Sequence, residues 1–204
     1  MLLVIFRDKP RKTLAFLICG MAVALFAGEI NGLVADRSAY EMHYITANFT
    51  PIVEECLKAF PIVLLFYAER PPRQLLLECS VAVGIGFATF ENICIMMSQS
   101  QLGTGFALAR GLGSGIMHGV CTLAVGYAVS FIGEKQKISH IGIYAALSVA
   151  IIYHSIYNIL VRSDYYYVGL ILPVITLAFL DFVLIRQFRG FIEKNGSGEK
   201  GGSE

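Results

Sequence analysis

Two adjacent glutamates and a lysine interrupt an apolar stretch between Pro51 and Pro61: Glu54 and Glu55 lie four and three residues before Lys58. Charged side chains at the centre of a membrane-spanning helix cost roughly 2.5–3.5 kcal/mol each, so a chain that keeps them usually has a functional reason. On a helix, Lys58 could neutralise either carboxylate, because residues three and four apart lie on the same side. This pairing would let the segment insert while leaving a carboxylate available for chemistry.

Other polar residues recur inside later apolar segments: Glu91 with Asn92, His118, and His154 with Asn158. A buried carboxylate near an imidazole can act through water as a general base near neutral pH. His154 and Asn158 are one helical turn apart, so both could donate hydrogen bonds to the oxyanion that forms when water adds to a carbonyl. These residues predict a peptidase that forms no covalent acyl-enzyme.

The same residue types could instead bind a metal, with His118, His154 and one glutamate holding Zn²⁺ and a second glutamate as base. The sequence contains no H-E-x-x-H motif, and the two histidines fall in different segments. The sequence therefore favours a site without a metal or other cofactor, with zinc as the alternative.

Composition predicts the environment that must position these residues. The chain has 204 residues, of which 56% are hydrophobic and 15% are charged, and its mean hydropathy is +0.65. Soluble domains are about one quarter charged. We therefore expect an all-α, multi-pass membrane helix bundle in a lipid bilayer, with no nucleic-acid partner.

Six apolar segments are long enough to cross a membrane. They lie near residues 13–35, 44–68, 74–97, 105–132, 139–161 and 166–186, and Pro51 is expected to break or kink the second. Lysine and arginine are concentrated before the first segment, in the second and fourth connectors and after the last segment, whereas the other connectors contain only Arg37 and Arg162. The positive-inside rule then places both termini in the cytoplasm.

This orientation brings the polar residues to one layer, roughly 5–20 Å below the outer surface at 1.5 Å per residue. Residues 1–194 are predicted to form one membrane-embedded domain, and residues 195–204 a disordered tail. Glu29 and Arg110 are interpreted as a structural pair near the outer interface. Glycines at small-xxx-small spacing, Gly111/Gly115/Gly119 in the fourth segment, predict a closely packed neighbour, as do Gly84 and Gly86 in the third.

The ordered motifs resemble the PrsW family of intramembrane proteases. They are Glu54-Glu55-x-x-Lys58, Gly86-Phe87-Ala88-x-x-Glu91-Asn92, the isolated His118, and His154-x-x-x-Asn158. The set is similar to the wider group of CAAX prenyl endopeptidases and Abi-type proteins. In that group an arginine follows the glutamates after three residues, whereas here Lys58 follows after two, which favours the PrsW family.

The resemblance implies a glutamic-type endopeptidase of the plasma membrane. Its substrate would be a single-span membrane protein, similar to an anti-sigma factor, cut near the extracytoplasmic face. One of Glu54 and Glu55 would activate water with His118, while His154 and Asn158 would stabilise the oxyanion, and Glu91 would belong to the second motif. The alternatives are a proton-coupled transporter that uses the same Glu and His residues as a relay, and a non-catalytic immunity or scaffold protein of the Abi type.

Overall fold

The computed structural model describes residues 9–98, 104–132 and 136–196, and these ranges contain helices and no strand. The helices are α1 (Lys9–Arg37), α2 (Met42–Asn48), α3 (Thr50–Glu69), α4 (Arg73–Ser98), α5 (Thr104–Val129), α6 (Gln136–Leu160) and α7 (Tyr166–Gly196). The all-α prediction is therefore confirmed. The predicted tail begins at residue 195, whereas α7 runs to Gly196; residues 197–204 lie outside the described ranges.

Within the described ranges, four helices are long and apolar enough to cross a membrane, which supports a multi-pass membrane protein. Their apolar stretches are Pro10–Arg37, Arg73–Ser98, Arg110–Val129 and His140–Leu160, and α7 adds a shorter one, Tyr166–Leu180. Helix α3 has the twenty residues that a span needs, but it contains the Glu54, Glu55 and Lys58 charges. The count of six spans and the cytoplasmic termini remain predictions.

The predicted second segment, 44–68, consists of two helices. Phe49 separates α2 from α3, and Pro51 occupies the first turn of α3, where a missing backbone N–H leaves no hydrogen bond unmade. The expected break at Pro51 is therefore present. Pro61 lies inside α3 without ending it. As a result, the two glutamates lie within the first two turns of α3.

Helix α4 packs between α1 and α5, and glycines allow its close approach to both. A Cβ atom at Gly20 or Gly86 would overlap backbone atoms across the α1–α4 contact, and one at Gly84 would lie 2.5 Å from the carbonyl oxygen of His118. The close contacts predicted at Gly84 and Gly86 are confirmed. They fix the depth and rotation of the helix that contains Glu91.

The corresponding prediction is wrong for the small-xxx-small glycines of the fourth segment, although Gly113 in the same helix lies close to Tyr157 and Leu170. No heavy atom of the described residues lies within 4 Å of a Cβ built at Gly111 or Gly115, and Gly119 meets only the Ile85 side chain, at 3.9 Å. The reason is that Gly84, on the facing helix, supplies the space that α4 and α5 need. The glycines at 111 and 115 therefore do not mediate this packing.

Helix α3 contacts α1, α4, α5 and α6, so one face of it is enclosed by the bundle, whereas Ile52, Phe60 and Leu64 on its other face are exposed. Its C-terminal half supplies Ile62, Leu65 and Phe66 to a buried apolar core. Its N-terminal half brings three charged side chains into the same enclosure. The fold therefore buries the Glu-Glu-x-x-Lys motif inside the molecule, with the glutamates about one and a half turns and Lys58 about two and a half turns after the α2–α3 break.

Candidate active site

The Glu-Glu-x-x-Lys motif is almost completely enclosed. The exposed fraction is 4% for Glu54, 1% for Glu55 and 0% for Lys58, and His118 and His154 are each 1% exposed. Ionised groups at this depth are stable only when they are paired and hydrogen-bonded. The pattern of pairs therefore indicates which polar atoms are fixed and which are available for chemistry.

Lys58 is the central cation of this cluster. Its Nζ lies 2.6 Å from Oε1 of Glu55 and 2.7 Å from Nδ1 of His118, and it is 4.7 Å from the centroid of the Phe87 ring. The sequence left open which glutamate Lys58 would neutralise, and the structure shows Glu55. Glu54 is thereby left without this direct cationic contact.

Both ring nitrogens of His118 are engaged. The ammonium group of Lys58 can only donate, so Nδ1 of His118 accepts this hydrogen bond. In the neutral ring, Nε2 then carries the hydrogen and donates to Oε2 of Glu91, 3.1 Å away. In this arrangement His118 has no free lone pair with which to take a proton from water.

His154 has the opposite arrangement. Its Nδ1 is 2.7 Å from Oε1 of Glu55, and a carboxylate only accepts, so Nδ1 carries the hydrogen and Nε2 keeps its lone pair. Nε2 lies 3.9 Å from Oε2 of Glu54, an oxygen without a hydrogen-bond partner among the described residues. Oε2 of Glu54 and Nε2 of His154 are therefore two buried polar atoms that lie close to each other without a direct hydrogen bond.

Glu91 and Arg110 form the accessible edge of the cluster. The side chain of Glu91 is 25% exposed and that of Arg110 is 20% exposed. Nη2 of Arg110 donates to Oε1 of Glu91 at 3.3 Å, and Ser114 donates weakly to Oε2 at 3.5 Å. A continuous network thus runs from Lys58 through His118 and Glu91 to Arg110.

Asn158 lies outside this network. Its Nδ2 donates to the carbonyl oxygen of Thr46 at 3.0 Å, and Arg162 donates to the hydroxyl group of the same threonine. Both contacts join the end of α6 to α2. The structure therefore brings together five of the six predicted site residues (Glu54, Glu55, Glu91, His118 and His154), and it uses the Asn158 amide to anchor α2.

The contacts that were not foreseen from the sequence include those of Asn31 and Arg110. Nδ2 of Asn31 donates to Oε1 of Glu54 at 3.3 Å, and Arg110 pairs with Glu91, while the Glu29 expected beside it is exposed. The sequence did contain a signal for the Asn31 contact, because Asn31 is an amide side chain within an apolar segment. No sequence spacing identifies the carboxylate that Arg110 meets, because the two residues lie on different helices.

The cluster has an excess of acidic groups. Among the described residues it combines three carboxylates (Glu54, Glu55 and Glu91) with two cations (Lys58 and Arg110). One further positive charge would balance a cluster with neutral histidines. One ligand atom from each of Glu54, His118 and His154 lies within 4.8 Å of the other two, so this set could hold either a shared proton or a metal ion.

Comparison with known proteins identifies the family. The model of the PrsW family intramembrane metalloproteases matches residues 9–185. A curated relative, Protease PrsW of Clostridioides difficile (strain 630), is 25% identical over 158 residues, which cover 73% of this chain and 55% of the relative. The chain thus spans about half the length of that relative, and no solved structure matches it. Because the family match covers most of the chain and includes every member of the buried cluster, the chain belongs to the PrsW family.

Proposed function

We propose that the chain is an intramembrane endopeptidase that hydrolyses a peptide bond of a membrane-anchored protein. The observation that carries this proposal is the pair Glu54 and His154, whose free oxygen and nitrogen atoms face each other inside a membrane helix bundle. Family membership supports proteolysis as the reaction. The substrate class and the mechanism below belong to the proposal.

Glu54 and His154 would activate the attacking water. A water between Oε2 of Glu54 and Nε2 of His154 could give its proton to either atom, which is general-base catalysis worth roughly 10²–10⁴-fold in rate. Glu55 would hold the His154 ring through Nδ1, so that Nε2 stays available. This assignment replaces the expected partnership of a glutamate with His118, because the His118 lone pair is taken by Lys58.

His118 would act as a positioning residue in this mechanism. It links Lys58 to Glu91, and its ring packs edge-on against His154 at a centroid distance of 4.9 Å. A rigid contact of this kind keeps the His154 ring from rotating away from Glu54. Asn158 would contribute through α2, and it could donate to an oxyanion only after releasing Thr46.

The residues present also fit a catalytic zinc ion, as the family name implies. Two histidines and one glutamate are a donor set that catalytic zinc uses, and here these are His118, His154 and Glu54. When bound, zinc would lower the pKa of a coordinated water to about 7. His118 can join such a set through Nδ1 only if Lys58 gives up its hydrogen bond, so Lys58 opposes metal binding at this nitrogen.

The substrate is proposed to be a single-span membrane protein, similar to an anti-sigma factor, in the plasma membrane. The order of the motifs supports this substrate class through their resemblance to the PrsW family. The distribution of lysine and arginine supports cleavage near the extracytoplasmic face, because it places the start of α3 toward that side.

The test compares new protein N-termini in membranes of cells that express the wild type or the Glu54→Gln/Glu55→Gln double variant at matched protein levels. The proposal predicts fragments of single-span proteins, cut near the outer boundary, that are present only with the wild type. Identical fragment sets under several stresses would refute proteolysis and favour a transporter or a scaffold.

Measuring the zinc content of the same purified proteins then separates the metal-free mechanism from the zinc-dependent one. About one zinc per wild-type chain, lost in the double variant, indicates a metal centre, whereas cleavage by zinc-free protein supports Glu54 and His154 alone.

A further inference from the structure

Arg110 lies where the buried cluster meets the exterior of the protein. It is the first residue of the apolar stretch of α5, and it precedes His118 by about two helical turns. Its side chain is 20% exposed, whereas His118 is 1% exposed. A peptide that approaches the cluster at this edge would meet the guanidinium group before it reached the histidines.

The hydrogen-bonding capacity of Arg110 is not filled. A guanidinium group has five N–H donors, and one of them reaches Glu91, at 3.3 Å, which is slightly longer than usual for such a bond. The Nε atom is buried and has no hydrogen-bond partner among the described residues. Buried donors without an acceptor are rare because they cost free energy, so each one calls for a physical explanation.

A membrane protein that is bound for cleavage would offer such a hydrogen-bond acceptor. A peptide bond inside a helix must be unwound before water can reach it, and unwinding leaves main-chain carbonyl oxygens without partners in a region that lacks bulk water. A guanidinium group at the edge of the site can donate to one of these oxygens while it still contacts Glu91. An acidic side chain of the substrate would offer the same oxygen chemistry.

We propose that Arg110 is a substrate-binding residue whose guanidinium N–H groups hold an oxygen acceptor of the substrate next to the scissile bond. This inference rests on the proposed endopeptidase function. It assigns Arg110 a role beyond the charge balance of Glu91, and it gives an acceptor to guanidinium donors other than the one that reaches Glu91. The reacting atoms stay with Glu54 and His154, and Arg110 fixes the chain that is presented to them.

A purely electrostatic role would give a different response to substitution. If Arg110 only neutralised Glu91, lysine would serve as well, because it keeps the charge. Lysine lacks the planar fork of donors, so it cannot hold a substrate oxygen and Glu91 together in the same geometry. Arg37 provides a matched control, since it is an exposed arginine at the end of α1 to which no role is assigned.

The experiment measures the fragments that depend on Glu54 and Glu55 in membranes containing the wild type, Arg110→Lys or Arg37→Lys, with the amount of folded protein determined by thermal unfolding. We expect Arg110→Lys to lower cleavage roughly ten- to hundredfold, the effect of losing one hydrogen bond from a charged group. With a purified substrate, the loss should appear mainly as a higher KM. Arg37→Lys should cleave like the wild type. If Arg110→Lys is depleted from membranes, its KM for the purified substrate is measured on the folded protein that remains, and a KM equal to that of the wild type overturns the binding role.

Each outcome decides the inference. If folded Arg110→Lys cleaves at the wild-type rate, the binding role of Arg110 is overturned and the peptidase proposal stands. The same holds if Arg37→Lys loses as much cleavage as Arg110→Lys does. Absence of any Glu54- and Glu55-dependent fragment with the wild type overturns the peptidase proposal and this inference with it. Substrates with acidic residues near the cut replaced by amides identify the acceptor: an Arg110→Lys defect that persists indicates a main-chain carbonyl, and one that disappears indicates a carboxylate.

Discussion

Replacing Lys58 with methionine should strongly destabilise the protein. Lys58 is fully buried and donates to Glu55 at 2.6 Å and to His118 at 2.7 Å. Methionine fills a similar volume, so the main effect is electrostatic: Glu55 remains buried without its cation. Removing one partner of a buried ion pair costs about 3–5 kcal/mol, and we expect Lys58→Met to lower the free energy of unfolding by about this amount.

The assay is denaturant-induced unfolding of the purified protein in detergent micelles, with Lys12→Met as the control. Lys12 pairs with Glu69, but these side chains are 41% and 46% exposed, so this loss should stay below about 1 kcal/mol. The double variant Glu55→Gln/Lys58→Met should recover part of the stability, because it removes both charges together. Coincident unfolding curves for Lys58→Met and Lys12→Met would refute the view that a buried ion pair holds the cluster together.

Three further tests use variants of individual contacts. Glu54→Gln should lower turnover at least about 100-fold while the fold persists. Glu55→Gln should reduce both turnover and thermal stability, because Glu55 accepts hydrogen bonds from a lysine and a histidine. Equal thermal stability of the two variants would contradict the separate roles given to Glu54 and Glu55. Gly84→Ala should destabilise by roughly 1–3 kcal/mol in a thermal unfolding assay, and Gly115→Ala should not, since only the first meets a backbone atom. Asn158→Ala should speed amide hydrogen exchange in α2 more than it slows cleavage; a loss of turnover as large as that of Glu54→Gln would assign Asn158 to the chemistry instead.

Contacts within a single helix could be predicted from the sequence. The α-helical period places Lys58 beside both glutamates, which limited its partner to two candidates. The proline at position 51 marked the break between α2 and α3, and apolar length located the long helices. These features depend on local geometry, which one chain segment determines by itself.

Contacts between helices could not be predicted in the same way. The partner of Arg110 depends on the rotation of α5 relative to α4, and packing sets that rotation through Gly84. A glycine motif in α5 suggested a different contact face, because small residues at the right spacing do not reveal which helix supplies the space. The role proposed for His118 differs from the expected one for a related reason: Lys58 reaches its Nδ1 from another helix.

The charge balance of the cluster supports the proposal that Glu54 and His154 are its reactive pair. Lys58 compensates Glu55 and Arg110 compensates Glu91, so the uncompensated carboxylate is Glu54. The free nitrogen of His154 lies 3.9 Å from this carboxylate, and a proton shared between them would make the cluster neutral. A pair that holds one proton between two acceptors can take a proton from water and return it to a leaving amine. Lys58 and Arg110 would thus support catalysis by confining the unbalanced charge to the place where water is to be activated.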